Sequence, residues 1–297
     1  MSAGELHTIQ DGGLSATIST DGAELHSIRT AGGRELLWQA GPEWPRHAPV
    51  LFPIVGRLAG DRLLHDGAAT RMTQHGFARD RAFTFIERDR SECRLVLEDD
   101  EQSRAIYPFG FRLEIAYGID GSTLTVSYHL ANPGHDVLPA SLGAHPAFAW
   151  PLEPGLAADA HEILFDSEEP APIRRVTGGL LRPDVEPSPV RGRRLELTPS
   201  LFTDDAVILD EPVSRGLRYG IPDGPALRIG WTNFSQLGIW SKPVGDGTAP
   251  FLCIEPWNGL ASPQDFEGEF MDKPHLMMIP PGGSIGAAWT VTPERIA

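Results

Sequence analysis

Four short segments of the chain hold side chains able to move a proton or grip a polyol: "VLFPIVGRL" with Arg57, "TQHGFARDRAF" with His75, "SLGAHPAFAWP" with His145 and "PFLCIEPWNGLA" with Glu255 and Trp257. An imidazole and a carboxylate walled by apolar residues have pKa values driven toward neutrality, the condition for exchanging protons with a bound ligand. His145 and Glu255 are each followed by proline, which holds the residue before it extended and fixes the backbone from which the side chain is aimed. Trp257, Trp240, Phe148 and Phe77 offer flat apolar faces of the kind sugars stack on. Singly, each group also has a plain structural reading: a surface arginine, a turn histidine, a buried histidine bonded to backbone, a solvated glutamate. Their combination points to acid–base chemistry.

The elements that must position these groups read as strands. In "STLTVSYHL", Leu124, Val126, Tyr128 and Leu130 alternate with Thr123, Thr125, Ser127 and His129, the period of a half-buried antiparallel strand. It follows the turn pair Asp120–Gly121, and the preceding "FRLEIAYGI" alternates too, which predicts a hairpin. Similar runs recur, among them "AELHSIRT", "RAFTFIER", "CRLVLED", "ALRIGW", "QLGIW", "FLCIE" and "GAAWTVT". The 32 glycines and 27 prolines are spread between such runs as turn signals, and no apolar stripe of helical period lasts several turns. The expectation is an all-β fold, a large antiparallel β-sandwich with few short helices, as one domain over residues 1–297. The Pro- and Gly-rich stretch 153–193 reads as a surface excursion with a few irregular strands, not as a linker.

A net charge of −15 disfavours nucleic acid and anionic membrane surfaces as partners. The first residues, "MSAGELHTIQDGG", lack the basic and apolar regions of a signal peptide, and no apolar run reaches spanning length, so a cytoplasmic location is expected. Cys93 and Cys253 are too far apart in sequence for a zinc knuckle or a disulfide framework and read as buried, reduced packing residues.

In their order and separations, "FPIVGRL", "QHGFAR", "GAHPAF" and "CIEPWNG" resemble the aldose 1-epimerase (mutarotase) superfamily, most closely its LacX-like branch. The closing "HLMMIPPGGSIGAAWTV", with Lys273 upstream, resembles the lysine-then-"PG" strands of the same family, and the likeness spans nearly the whole chain. The resemblance implies a large β-sandwich with an open cleft and interconversion of the α and β anomers of a free aldose, without cofactor or metal. It implies His145 as general acid, Glu255 as general base, and His75 and Arg57 as sugar-binding groups; Trp257, from its aromatic face, is expected beside them as a further substrate-binding residue. The family's hydroxyl-holding aspartate is matched best by Asp205 in "LFTDDAVILD", with Asp204 as the neighbouring alternative. The "GFAR" after His75 departs from the glycine-rich setting in galactose mutarotases, which puts galactose itself in question.

Three rival readings stand beside this one. A hexose-phosphate 1-epimerase would need basic groups at one end of the cleft, to which Arg79 and Arg81 could contribute. A non-catalytic sugar-binding protein of the same fold would need no acid–base pair. A metal enzyme would use His75, His145 and Glu255 as a two-histidine, one-carboxylate triad. The partner expected is a small monosaccharide, and the chain is expected to be a monomer or homodimer.

Overall fold

A strand buried on both faces must find a packing layer on each side, and Phe251–Asn258 is such a strand, with only Asn258 less than fully buried. Leu252 and Ile254 enter the main hydrophobic core, whereas Phe251, Cys253 and Trp257 pack into two smaller clusters on the opposite face. Two-residue periodicity thus gives one strand a core side and a second, chemically distinct side. In this computed structural model, which describes residues 4–245 and 247–296, that strand is central to a six-stranded antiparallel sheet. Its neighbours are Gln236–Trp240 and then Val207–Leu209 on one side, and on the other Leu142–Ala144 with Val50–Leu51 beyond it; Ala147–Ala149 also pairs with it.

The opposing layer is a nine-stranded antiparallel sheet running from Arg194–Glu196 at one edge to Thr84–Arg88 at the other, with Ser284–Glu294 at its centre. The two layers share the main core, where Phe148 meets Trp289 edge-on with ring centroids 6.4 Å apart. A three-stranded sheet of Leu6–Asp11, Leu14–Ser19 and Leu25–Thr30 adds Ile9, Ile18 and Ile28 to the same core. The large antiparallel β-sandwich expected from alternation is what the chain forms.

The predicted hairpin is present: Arg112–Asp120 pairs with Thr123–Ala131, placing Leu124 opposite Ile119 and closing on Gly121 and Ser122, with Gly121 at φ +59°. Among the described residues the one α-helix is Glu101–Arg104, held by a reciprocal cap in which Ser103 N–H donates to Asp100 and Asp100 N–H donates to Ser103 Oγ. No helix is long and apolar enough to cross a membrane among the described residues. Residues 1–3 of the N-terminal stretch, and residues 246 and 297 of the expected domain span, lie outside the described residues.

The excursion at 153–193 departs from expectation in one respect. Glu162–Phe165 is a strand of the nine-stranded sheet, with Ile163 and Phe165 fully in the core. Its four residues are too few for alternation to stand out from the surrounding charge and proline. The rest is irregular, and the small hairpin Val176–Thr177 with Leu180–Leu181 folds back over the six-stranded sheet.

Candidate active site

His145 sits in a break between two strand pieces that pair with the same partner. On one side of the break Gly143 lies opposite Trp257, and on the other Ala147 lies opposite Cys253. The register continues unchanged across the gap, which puts His145 opposite Glu255. Proline after each of them removes a ladder donor, so the backbones at this point pair poorly and the side chains make the contact instead. His145 Nε2 stands 3.2 Å from Glu255 Oε2. The residues are 6% and 1% exposed, and both line a cleft of about 270 Å³. That volume lies just below the ~300–1,000 Å³ typical of small-ligand sites, room for one small molecule.

Aromatic rings wall the pair. Trp44 is stacked on the His145 imidazole with centroids 4.9 Å apart, and Trp240 meets it edge-on at 5.9 Å. Trp257 packs against two glycines, where a Cβ at Gly143 or Gly238 would come within 2.6 Å or 2.3 Å of its ring. His75 approaches His145 edge-on at 5.5 Å from the loop that follows the strand Ala68–Arg71. Its backbone is left-handed at φ +65°, its N–H donates to the Gly56 carbonyl, and its Nδ1 accepts from the Gly56 N–H. With Nδ1 accepting, the ring proton belongs on Nε2, leaving His75 a donor for a ligand hydroxyl.

Asp205 and Asp204, alternatives in sequence, part company in space. Asp205 lines the cleft, held at φ +67° with its carbonyl accepting from the buried Arg175 guanidinium at 2.9 Å. Asp204 is mostly exposed and faces Arg182. Arg57, in contrast, is not among the cleft-lining residues: its guanidinium makes a two-pronged contact with Asp61 at 2.5 and 2.9 Å, beside the lining residue Gly179. The arginine that does line the cleft is Arg79, whose buried Nε has no hydrogen-bond partner and whose Nη2 donates to the Gln74 carbonyl. Arg81 is turned away to Asp100. Phe148 and Phe77 do not offer faces to the cleft; both pack with the main core, where larger apolar area is available to them.

Burial sets the electrostatics. It drives the His145 pKa down to about 3 and pushes the Glu255 carboxyl well above the ordinary range, the latter reinforced by the Asp205 charge. His75 is held well below its ordinary value, first by burial and then by His145 and Arg79. Burial thus favours the proton on Glu255 over the proton on His145, two groups whose titrations are coupled. Such a pair can give a proton to one ligand oxygen while taking one from another. Cys253 contributes the third donor near it: its Sγ, a His145 nitrogen and a Glu255 oxygen lie within 4.8 Å of one another, so sulfur rather than His75 completes the set of possible metal ligands.

Trp44, Gln74, Arg79, Val176 and Gly179 line the cleft without having been singled out as cleft residues from sequence, Arg79 apart as a phosphate candidate. Trp44 carried a legible signal, an aromatic followed by proline in "GPEWPRH", the grammar of the other segments. Val176 and Gly179 carried none, since they arrive by the excursion's return over the sheet.

Comparison with known proteins places these residues in a wider setting. The model of the aldose 1-epimerase family matches residues 5–275. The chromosomal LacX protein of Lactococcus lactis subsp. lactis is 29% identical over 290 residues, which cover 94% of this chain and 96% of that protein. A crystal structure of a galactose mutarotase related enzyme from Lactobacillus acidophilus superposes with a TM-score of 0.89 at 28% identity, covering 98% of this chain and 97% of that one. A galactose mutarotase-like protein from Lactobacillus casei gives the same score and identity over 98% of this chain and all of its own.

Proposed function

Because the chain belongs to the aldose 1-epimerase family, we propose that it interconverts the α and β anomers of a free hexose by opening and reclosing the sugar ring. The observation that carries this reading is the opposed His145–Glu255 pair at 3.2 Å in a sugar-sized cleft. The ring oxygen and the anomeric hydroxyl are bonded to the same carbon, so two groups that close together can address both at once. His145 gives a proton to the ring oxygen and Glu255 takes one from the anomeric hydroxyl. The ring bond breaks, a neutral open-chain aldose forms, and the pair is left as neutral imidazole and carboxylic acid. Rotation about the C1–C2 bond turns the other face of the carbonyl to the ring hydroxyl, and the same transfers in reverse close the opposite anomer.

The proton inventory favours this order of states. The open-chain stage coincides with the arrangement burial prefers, protonated Glu255 beside neutral His145. The reactive closed-ring stage needs that proton moved across to His145, and hydrogen bonds from sugar hydroxyls supply polarity that favours the charged pair. His75 Nε2–H and Arg79 donate to hydroxyl oxygens, Asp205 accepts from hydroxyls, and Trp257 and Trp44 cover the apolar faces of the ring. Proton transfer of this kind contributes about 10²–10⁴ in rate. The reading takes the chain as one domain, supported by a core cluster that runs from Ile9 to Val291.

A hexose phosphate is the weaker substrate. Arg79 is the single arginine among the described cleft-lining residues, while Arg57 and Arg81 are committed to Asp61 and Asp100. The deciding experiment follows the approach to anomeric equilibrium by polarimetry for fresh α-glucose, α-galactose and their 6-phosphates. Acceleration confined to the phosphates would replace the free-hexose reading, and a buffer rate throughout, with sugar bound, would make the protein a binder.

A further inference from the structure

We propose that Cys253, His145 and Glu255 form a binding site for one thiophilic divalent cation of the zinc and cadmium class, in competition with the sugar. Cys253 and Glu255 are two apart on one strand and so share its cleft-side face, with His145 opposite. The three donor atoms lie within 4.8 Å of one another and all three residues are buried. With metal–ligand bonds of about 2.0–2.2 Å, the 3.2 Å between His145 Nε2 and Glu255 Oε2 subtends an angle of about 100° at a metal, close to tetrahedral. A metal–sulfur bond of about 2.3 Å then needs Sγ to approach by up to roughly 1 Å, within reach of side-chain rotation.

Glu255 Oε2 is buried without a hydrogen-bond partner, a polar atom whose burial a bound ion would compensate. Nitrogen, sulfur and carboxylate oxygen together suit zinc or cadmium, whereas magnesium and calcium prefer oxygen alone. On binding, the thiol and the carboxyl each release a proton to solvent, and two negative ligands then neutralise the dication in a dry pocket. The fourth position faces the cleft and is filled by water. Competition with sugar rests on the proposed epimerase reading, because the ion takes the same Nε2 and Oε2; the binding itself does not.

The test titrates the intact, reduced protein with Cd²⁺ and follows thiolate-to-cadmium charge-transfer absorption in the ultraviolet. One equivalent is expected to give the band in the wild type and in Cys93→Ala, whose thiol lies on the other sheet in strand Glu92–Glu98. The band is expected to vanish in Cys253→Ala and to need at least tenfold more Cd²⁺ in Glu255→Gln. Cys253→Ser, closer in volume, serves if the alanine variant fails to fold. The other cluster of possible ligands, Glu24, His26 and His47, has no sulfur and gives no such band. Saturating sugar should raise the Cd²⁺ needed, and Cd²⁺ should inhibit the wild type but not Cys253→Ala, each relative to its own rate. No band in folded wild type, or a band surviving in Cys253→Ala, overturns the site; a band unaffected by sugar overturns the competition. A Cd²⁺ band in a protein that epimerises nothing leaves the site standing and removes the proposed function.

Discussion

Glu255 Oε2 stands 3.2 Å from His145 Nε2, both buried, on paired strands whose register holds across the break at Pro146. His145→Gln and Glu255→Gln keep the volume and remove the titration, so each should lower epimerisation by about 10²–10⁴ while leaving the fold intact. Polarimetry beside a thermal melt reads both quantities. Activity near wild type in either folded variant would remove the pair from the chemistry.

The same pair should be visible in stability as a function of pH, with opposite signs. His145 is held at about 3 against an ordinary 6.5, so the unfolded chain binds the extra proton first as pH falls. Its contribution is complete above 6.5 and lost on the way down to 3. Glu255 is raised above 4.5, so the folded state keeps a proton that the unfolded chain releases, and stability falls as pH climbs from there through the folded value. Melting curves should therefore show Glu255→Gln gaining more over wild type at about pH 8 than at about pH 5, and His145→Gln losing less on acidification. A gain for Glu255→Gln that shrinks with rising pH would contradict the assigned direction.

Lys273 offers a second titration, at a residue that does not line the cleft. Its amine is buried, donates to the Leu260 and Pro274 carbonyls at 2.7 and 3.2 Å, and is pulled by burial from 10.5 to about 7. The unfolded chain holds that proton longer, so stability should rise as pH climbs from 7 toward 10.5. The gain is at most on the order of 3 kcal/mol by about pH 9.5. Lys273→Met should flatten this slope in denaturant titrations; an unchanged slope would assign it to another group.

Two arginines separate positioning at the rim from contact with the ligand. Arg79 lines the cleft with a buried Nε that makes no hydrogen bond and has Asp80 at 3.8 Å, while Arg57 is held by Asp61 in a two-pronged contact. Arg79→Met is expected to raise KM by tenfold or more, and Arg57→Met by less, since a part-exposed pair contributes about 0–1 kcal/mol. The reverse order would show that Arg57 leaves Asp61 when sugar binds.

Gly238 tests the aromatic wall. Its absent Cβ makes room for Trp257, whose ring carbon would otherwise be 2.3 Å away. Gly238→Ala should cost about 1–3 kcal/mol by overpacking and shift the Trp257 fluorescence as the indole is displaced. A neutral effect on both would mean the ring has room to spare.

Much of this molecule was determined by its sequence alone. Alternation of period two in segments such as 111–119 and 122–130 dictates a sheet with one buried face, and scattered turn residues leave helices no length in which to form. The proline-flanked segments around His145 and Glu255 marked the candidate site, because a polar group among apolar neighbours is conspicuous in one dimension. Tertiary structure alone decided the distances. Register across the Pro146 break brought positions more than a hundred residues apart face to face, and the fold of 173–182 set Val176 and Gly179 over the cleft. Pairing likewise chose Asp205 over Asp204, sent Arg57 to Asp61 and left Arg79 inside, and set Cys253 beside the pair. A strand's own pattern fixes which way its side chains point, but which strand lies opposite, and in what register, depends on packing and hydrogen bonding summed over the whole sheet.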